Sequence, residues 1–223
     1  MEIMGRKMDS NDYPGTFICL EGIDGSGTTT QAQRLADRLH QEGYDYFVTA
    51  EPSTGPIGKL IRKFLGGSLP KPSDAYLSSL MTLLFSADRL EHLDSEVIPA
   101  LQKGEVVICD RYLLSTFAYQ TTDLDGFDWI ESVSTRTLMP DVTVVFLLDP
   151  EIGIQRCEAR GGRKEFYEKV ETQKRVDANY RLLLSLGHKF NNVVSVDASL
   201  GIEELTEALV DVIRPHIKTC ASF

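Results

Sequence analysis

A glycine-rich stretch that directly follows a short apolar run constrains the fold of this chain more than any other feature. The apolar run covers residues 17–20, a helical pattern covers residues 30–40, and the stretch between them reads Gly22-Ile23-Asp24-Gly25-Ser26-Gly27-Thr28-Thr29-Thr30. This order of strand, loop and helix is the context that the phosphate-binding loop G-x-x-x-x-G-K-[ST] requires. Backbone N–H groups of such a loop converge on phosphate oxygens, and the helix N-terminus adds a favourable dipole. The spacing therefore predicts a nucleotide-phosphate site, with the Thr29 hydroxyl facing Mg²⁺.

The loop departs from its consensus at one position, where Thr28 stands in place of the lysine. That lysine places a full positive charge on the β- and γ-phosphates, whereas threonine offers only a neutral hydroxyl. If such a cation is worth as much as an arginine finger, roughly 10³–10⁵ in rate, its loss raises the reaction barrier by about 4–7 kcal/mol. Either another cation fills the gap, or the chain binds nucleotides with little catalysis.

Five short apolar runs predict the strands of one sheet. They cover residues 17–20, 46–49, 106–109, 142–148 and 193–196, and they are rich in Val, Ile and Phe. Long stretches of helical periodicity separate them, which is typical of parallel strands buried on both faces. The expected fold is therefore α/β, with three layers around a five-stranded parallel sheet. One helical stretch, residues 76–93, carries a broad apolar stripe that predicts either core packing or, in part, a subunit interface.

Composition and charge exclude several classes of protein. The 223 residues are 42% hydrophobic, and 23 basic against 33 acidic residues give a net charge of −10, which argues against a general nucleic-acid-binding surface. The first residues lack the apolar core of a secretory signal, and no uncharged run of about 18 apolar residues predicts a membrane span. The four cysteines are scattered without the paired spacing of zinc or redox motifs, which favours a reducing, cytoplasmic setting. With no repeat or linker, residues 15–219 are expected to form one domain after a disordered extension at residues 1–14.

Two further segments place charge near the predicted phosphate site. Asp110 and Arg111 follow the third apolar run, at the sheet edge where open α/β folds bind ligands. An aspartate there orients Mg²⁺ through water, and an arginine grips a phosphate with two hydrogen bonds. Residues 156–175 contain seven basic and four acidic residues, with Gly161-Gly162 as a flexible break. This segment predicts a short mobile lid over about residues 156–172, although a solvated helix with ion pairs is the alternative.

Several segments together resemble the thymidylate kinases, the P-loop kinases that convert dTMP to dTDP with ATP and Mg²⁺. The resemblance runs from about residue 16 to residue 180, and its most specific parts are Phe85-Ser86-Ala87-Asp88-Arg89 and Asp110-Arg111-Tyr112. It also includes the glycine-rich loop, Glu51-Pro52, Gly58-Lys59-Leu60-Ile61-Arg62, Ser115, Tyr119-Gln120 and the basic segment. It implies a P-loop kinase fold, a homodimer, and direct in-line phosphoryl transfer without a protein nucleophile.

The resemblance also implies roles for individual residues. Phe85 would stack on the thymine ring and Arg89 would donate to a base carbonyl; the alternatives are core packing of Phe85 and pairing of Arg89 with Asp88 or Glu91. Arg111 would hold the dTMP phosphate and Asp24 would meet the sugar 3′-hydroxyl. Tyr119 would add bulk near C2′, unless it merely packs on the sheet. The other residues implied for dTMP binding are Glu51, Ser115, Thr116 and Gln120.

Two positive charges of the family pattern are missing, one at Thr28 and one at Ala50, where the bacterial-type segment has arginine. The candidates for replacing the lysine charge are Arg160, Arg163 and Lys164. The phosphate-binding role of the second missing residue, the arginine at position 50, falls to Arg62 or entirely to Arg111. Another deoxynucleotide or nucleoside kinase and a non-catalytic nucleotide binder remain alternatives. A regulatory GTPase is disfavoured because the sequence has no Asn-Lys-x-Asp element.

Overall fold

The computed structural model describes residues 10–70, 72–121, 124–161, 167 and 169–218. One sheet of five parallel strands lies at its centre, in the spatial order β2-β3-β1-β4-β5. The strands are β1 (Phe17–Gly22), β2 (Tyr46–Ala50), β3 (Val106–Asp110), β4 (Val142–Leu147) and β5 (Val193–Asp197). All five predicted strands are present, each within two residues of its predicted bounds, and the predicted α/β P-loop kinase fold is confirmed.

The helices lie on both faces of the sheet. They are α1 (Thr28–Gln41), α2 (Pro56–Leu65), α3 (Asp74–His92), α4 (Ile98–Gln102), α5 (Leu113–Gln120), α6 (Leu124–Val133), α7 (Pro150–Arg160), α8 (Val170–Ser185) and α9 (Ile202–Ile213). Helix α3 continues into a π-helical turn, Leu93–Val97, before α4 begins. Helices α1 and α9 pack together against one part of the sheet, while α5 and α8 pack together against β1 and β4.

Burial separates the central strands from the edge strands. Every residue of β1 and β3 is buried, whereas all five residues of β2 are only half-buried and β5 exposes Ser195 and Asp197. The prediction that all five strands are buried on both faces is therefore wrong for β2 and β5. An edge strand lacks one neighbour, so helices on the two faces cannot cover it completely. Cys19 and Cys109 are fully buried register partners on β1 and β3 and pack there as small core residues.

The segment before β1 is held in place from residue 10 onward. Asn11 is buried, and its side-chain amide donates to Asp141 Oδ2 at 2.6 Å and to the Gly15 carbonyl at 3.1 Å. Lys218, near the other end of the described chain, donates to the carbonyls of Asn11, Tyr13 and Gly15 at 2.9–3.2 Å. The expected disordered extension is therefore wrong for residues 10–14, and residues 1–9 lie outside the described part of the chain. Among the described residues, no helix combines the length and apolar character needed to cross a membrane.

Candidate active site

The carboxyl ends of β1 and β3 bring the glycine-rich loop and Arg111 together. The loop turns at Gly25 and Gly27, whose φ angles of 79° and 95° suit a residue without a side chain, and α1 begins directly after it. Arg111 also has a positive φ, 67°, and its backbone N–H donates to the Leu20 carbonyl at 2.9 Å. A non-glycine residue in this conformation is uncommon and is held by its surroundings. The turn aims the arginine side chain at the loop.

Arg111 and Asp24 form the centre of a polar cluster. Arg111 Nη2 donates to Asp24 Oδ1 at 2.7 Å, and Arg111 Nη1 donates to the Gly22 carbonyl at 2.7 Å. The Tyr119 hydroxyl donates to the same Asp24 oxygen at 2.9 Å. Burial opposes the charge of Arg111, but Tyr119 and Asp24 more than offset this and raise the pKa of the guanidinium well above its usual value. Arg111 therefore stays positively charged beside the glycine-rich loop, paired with the Asp24 carboxylate.

Two cavities meet at this cluster. The smaller, about 190 Å³, lies beside α3 and α5, and the larger, about 750 Å³, lies over the glycine-rich loop and the N-terminus of α1. Asp24 and Arg111 line both cavities. Two ligands bound in the two cavities would thus face each other across one arginine, which is the arrangement that direct transfer between them requires.

Most of the residues predicted to bind dTMP line the smaller cavity. Phe85 is half-buried there and does not belong to the packed core, so that its ring is available to a ligand. Ala50, at the position of the missing family arginine, also lines this cavity. Arg62 instead lies at the protein surface and donates to the carbonyls of Pro52 and Ser53. The other predicted residues found in the lining are Asp24, Glu51, Arg111, Ser115, Thr116, Tyr119 and Gln120.

Arg89 lies behind this lining rather than in it. It is fully buried, and its Nη2 donates to Glu51 Oε2 at 2.8 Å and to Thr116 Oγ1 at 2.9 Å. Its Nε and Nη1 are buried without a hydrogen-bond partner among the described residues. The alternative pairing of Arg89 with Asp88 is wrong, because Asp88 accepts instead from the Ser53 backbone N–H and hydroxyl. Nε and Nη1 of Arg89 are thus unused donors beside Glu51 and Thr116, which line the smaller cavity.

The larger cavity contains the predicted loop residues, with Thr28 and Thr29 in different positions. Residues Gly25 to Thr30 line it, whereas Ile23 is a core residue and the Gly22 carbonyl is taken by Arg111. Thr28 is 5% exposed, and Thr29 is exposed and donates its hydroxyl to Asp110 Oδ2. The other carboxylate oxygen, Asp110 Oδ1, is buried without a partner among the described residues. A buried, unsatisfied carboxylate oxygen beside a threonine hydroxyl is a donor set that fits Mg²⁺.

The basic segment supplies fewer cations to the cavity than its composition predicts. Arg156 and Arg160, both on α7, line the larger cavity, and Arg156 Nη1 donates to the Ala198 carbonyl at 3.1 Å. Lys174 pairs with Glu151 at 2.9 Å and Arg175 donates to the Thr121 carbonyl at 3.0 Å, so that neither lines this cavity. Arg163 and Lys164, two of the predicted catalytic residues, lie outside the described part of the chain.

Three residues of the site were missed by sequence reasoning. Glu21, fully buried within β1, accepts from the backbone N–H groups of Tyr112 and Ser115 and from two hydroxyls. Gln173, on α8, donates to Asp24 Oδ2 at 2.7 Å and accepts from the Asp24 backbone N–H at 3.0 Å. Tyr167 lines the smaller cavity and accepts from Gln120 Nε2 at 3.1 Å. The only sequence signal for any of them was the charge of Glu21, which directly follows the apolar run at residues 17–20.

Comparisons with known proteins agree on one family. The family model described as "Thymidylate kinase" matches residues 20–209. A "Probable thymidylate kinase" of Pyrococcus abyssi is 38% identical over 203 residues, which are 91% of this chain and 98% of that protein. A "Probable thymidylate kinase" of Methanococcus vannielii is 42% identical over 170 residues, 76% of this chain and 78% of that protein. A "Thymidylate kinase" of Desulforapulum autotrophicum is 45% identical over 145 residues, 63% of this chain and 62% of that protein.

Proposed function

The chain belongs to the thymidylate kinase family and is a nucleoside monophosphate kinase that phosphorylates dTMP to dTDP with ATP, and we propose that the transfer takes place at Arg111. The observation that carries this proposal is that Arg111 and Asp24 line both cavities and are joined by a hydrogen bond of 2.7 Å. The smaller cavity binds dTMP and the larger binds ATP. Transfer is then in line between the two phosphates, with positioning and electrostatics as the protein's contribution.

In the smaller cavity, Phe85 stacks on the thymine ring and Arg89 donates to a carbonyl of the base. The support is that Phe85 lies in the cavity lining and that Arg89 keeps two buried donors without partners among the described residues. Asp24 meets the sugar 3′-hydroxyl and Arg111 holds the phosphate. Tyr119, on the sugar side, excludes a 2′-hydroxyl by its bulk. The residues that complete the pocket are Glu51, Ser115, Thr116 and Gln120.

In the larger cavity, backbone N–H groups of the lining residues 25–30 bind the ATP phosphates at the N-terminus of α1. Thr29 and Asp110 would hold Mg²⁺, Asp110 through Oδ1, which has no hydrogen-bond partner in the described part of the chain. When bound at these residues, Mg²⁺ would neutralise part of the phosphate charge during transfer. The buried Thr28 hydroxyl supplies no charge. Arg160, together with Arg163 and Lys164 of the lid at about residues 156–172, provides the missing positive charge.

We further propose a single catalytic domain over residues 15–219, a homodimer and a cytoplasmic location. The homodimer is supported by an apolar stripe on α3, where Tyr76, Leu83 and Leu90 are 71%, 51% and 46% exposed. The cytoplasmic location follows from the unpaired spacing of the cysteines and stays a prediction.

Steady-state formation of dTDP from dTMP, ATP and Mg²⁺ tests the assignment of Arg111. We expect turnover of about 1–100 s⁻¹ for the natural chain, as is typical of kinases, and a fall of about 10³ or more for Arg111→Ala. Arg181→Ala is the matched control, because Arg181 is an exposed arginine of α8 that pairs with Asp177 away from both cavities. Near-natural turnover in Arg111→Ala would reject the proposed transfer site.

A double-mutant cycle tests the replacement of the missing lysine. Arg160→Ala is made in the natural chain and in a Thr28→Lys chain, and kcat is measured for all four proteins. If Arg160 supplies the charge, its loss lowers kcat by about 10² or more in the natural chain and by far less in the Thr28→Lys chain. Equal losses in both backgrounds would assign the replacement charge elsewhere, with Arg163 and Lys164 as the next positions to vary.

A further inference from the structure

A buried histidine outside both cavities contacts the residues that hold Arg89. His92, the last residue of α3, is 1% exposed and belongs to neither cavity lining. Its Nε2 lies 2.7 Å from Thr49 Oγ1 and 3.6 Å from Glu96 Oε2, and its Nδ1 lies 3.4 Å from Glu51 Oε1. A polar ring is costly to bury unless its nitrogens have partners. Thr49 and Glu51 are those partners, and Glu51 connects the histidine to the base-binding side of the site.

The two oxygens of Glu51 serve different partners. Oε2 accepts from Arg89 Nη2 at 2.8 Å, while Oε1 faces His92. Arg89 Nη2 also donates to Thr116, so that one end of the guanidinium is fully used, whereas Nε and Nη1 have no partner among the described residues. An arginine and a carboxylate prefer to pair through two parallel hydrogen bonds. Arg89 and Glu51 share only one hydrogen bond, so something must prevent the second.

We propose that His92 is a positioning residue for dTMP binding: by engaging Glu51 Oε1, it keeps the Glu51–Arg89 pair at one point of contact and so preserves two Arg89 donors for the base. Without His92, Oε1 is a buried acceptor without a partner, and rotation of the Glu51 carboxylate towards a second Arg89 nitrogen satisfies it. That rotation consumes a donor that the base requires. His92 thus acts on dTMP only through Glu51 and Arg89, and the inference rests on the proposed role of Arg89.

Three substitutions of His92 in the full chain test the proposal by steady-state kinetics. His92→Leu removes both nitrogens, His92→Asn keeps an amide near the position of Nδ1, and His92→Gln keeps one near the position of Nε2. We expect His92→Leu to raise the KM for dTMP by about five- to tenfold, the value of one net hydrogen bond, with the KM for ATP unchanged. His92→Asn restores the KM for dTMP better than His92→Gln, because Nδ1 faces Glu51. His216→Leu, the same change on the last turn of the described chain, is the control.

The route through Arg89 is tested by combining His92→Leu with Arg89→Lys, which keeps the charge opposite Glu51 but removes the two unused donors. We expect Arg89→Lys to raise the KM for dTMP, and His92→Leu to add nothing further in that background. Additive effects, an unchanged KM for dTMP in His92→Leu, or equal rescue by Asn and Gln would overturn the inference. An unchanged KM for dTMP in Arg89→Lys would instead reject the proposed role of Arg89 in base binding, whatever the His92 variants show. If His92→Leu does not fold, the KM for dTMP of His92→Asn compared with that of His92→Gln still tests whether Nδ1 acts through Glu51.

Discussion

At the scale of single residues, Glu21 shows how a carboxyl group is accommodated inside the sheet. Its two oxygens accept from the backbone N–H groups of Tyr112 and Ser115 at 2.9 and 3.2 Å, and from the hydroxyls of Ser115 and Tyr180 at 2.5 and 2.9 Å. Tyr112 and Ser115 flank the start of α5, which carries Thr116 and Tyr119 into the smaller cavity. Glu21 therefore fixes the element that lines the base-binding side of the site.

Burial raises the pKa of Glu21, although its hydrogen bonds and Arg111 lower it. Because the folded-state pKa lies above the usual value of 4.5, at pH values between 4.5 and the raised pKa, and only there, the folded protein holds a proton at Glu21 that the unfolded chain releases. The contribution of Glu21 to stability consequently falls as the pH rises from 4.5 through the raised pKa, by up to about 1.4 kcal/mol per pH unit. We expect the unfolding free energy of the natural chain to decline over this window relative to Glu21→Gln, measured by urea denaturation. If the difference in unfolding free energy between the natural chain and Glu21→Gln stayed constant with pH, this prediction would be wrong. The control is Asp211→Asn, which changes an exposed carboxylate.

Sequence reasoning predicts residue types at this scale better than their partners. The carboxyl ends of β1 and β3 follow from the apolar runs, so the meeting of Asp24 with Arg111 is predictable from parallel-sheet geometry. The pairing of Arg89 with Glu51 is not, since it depends on how the loop after β2 folds back onto α3. Gln173 is beyond prediction for the same reason: it lies 149 residues from Asp24 in sequence, and one amide in a polar helix gives no signal.

At the scale of elements, α7 packs directly against the glycine-rich loop through two glycines. Asp149 caps the helix by accepting from the Glu151 backbone N–H at 2.8 Å, which sets its first turn against the loop. A Cβ on Gly153 would lie 2.5 Å from the Asp24 carbonyl oxygen, and a Cβ on Gly25 would clash with the Gly153 carbonyl. Only glycine at both positions allows this contact between the two backbones. The same helix carries Arg156 and Arg160 to the larger cavity.

We expect Gly153→Ala to push α7 away from the loop and to lower kcat/KM for ATP by about tenfold or more, because small displacements of catalytic groups are costly. The overpacked contact also lowers the unfolding free energy by about 1–3 kcal/mol. Gly187→Ala is the matched control, since its nearest neighbour beyond the adjacent residues, Val193 Cβ, is at an ordinary 3.7 Å. If Gly153→Ala bound and used ATP as the natural chain does, the backbone contact would have no role in placing the two arginines.

Hydrophobic periodicity in the sequence predicts the positions of elements but not their order in space. It predicts β1 to β5 and α1, because strands buried by neighbours and a helix with one apolar face have distinct periods. It does not predict that β2 and β5 lie at the edges, which is a property of strand order. Nor does it give the direction of a basic side chain: Lys174 and Arg175 lie on α8 facing Glu151 and Thr121 rather than the phosphate site.

At the scale of the whole molecule, the two ends of the described chain are joined beneath the sheet. Besides three backbone carbonyls, Lys218 contacts Asp141 Oδ1 at 3.0 Å, and Asp141 Oδ2 accepts from the Phe17 backbone N–H at 2.7 Å. This contact ties both ends to the amino ends of β1 and β4, on the side of the sheet opposite the site. The polar sequence of residues 10–14 predicts disorder because it contains few apolar residues. Hydrogen bonds to Lys218 and Asp141 and the packing of Tyr13 against the core order it instead.

The exposed stripe on α3 leads to the last prediction, which concerns assembly. Tyr76, Leu83 and Leu90 recur at seven-residue intervals and therefore lie along one face of the helix, and α2, which packs on α3, exposes Leu60 as well. An apolar stripe of this kind on the surface marks an interaction site. We expect the natural chain to sediment as a dimer and Leu83→Arg, which places a charge at the centre of the stripe, to sediment as a monomer. Leu182→Arg, which changes a similarly exposed leucine on α8, should leave the dimer intact. Leu83 lines neither cavity, so the Leu83→Arg monomer should still bind dTMP. A monomeric natural chain would exclude the stripe as a dimer interface.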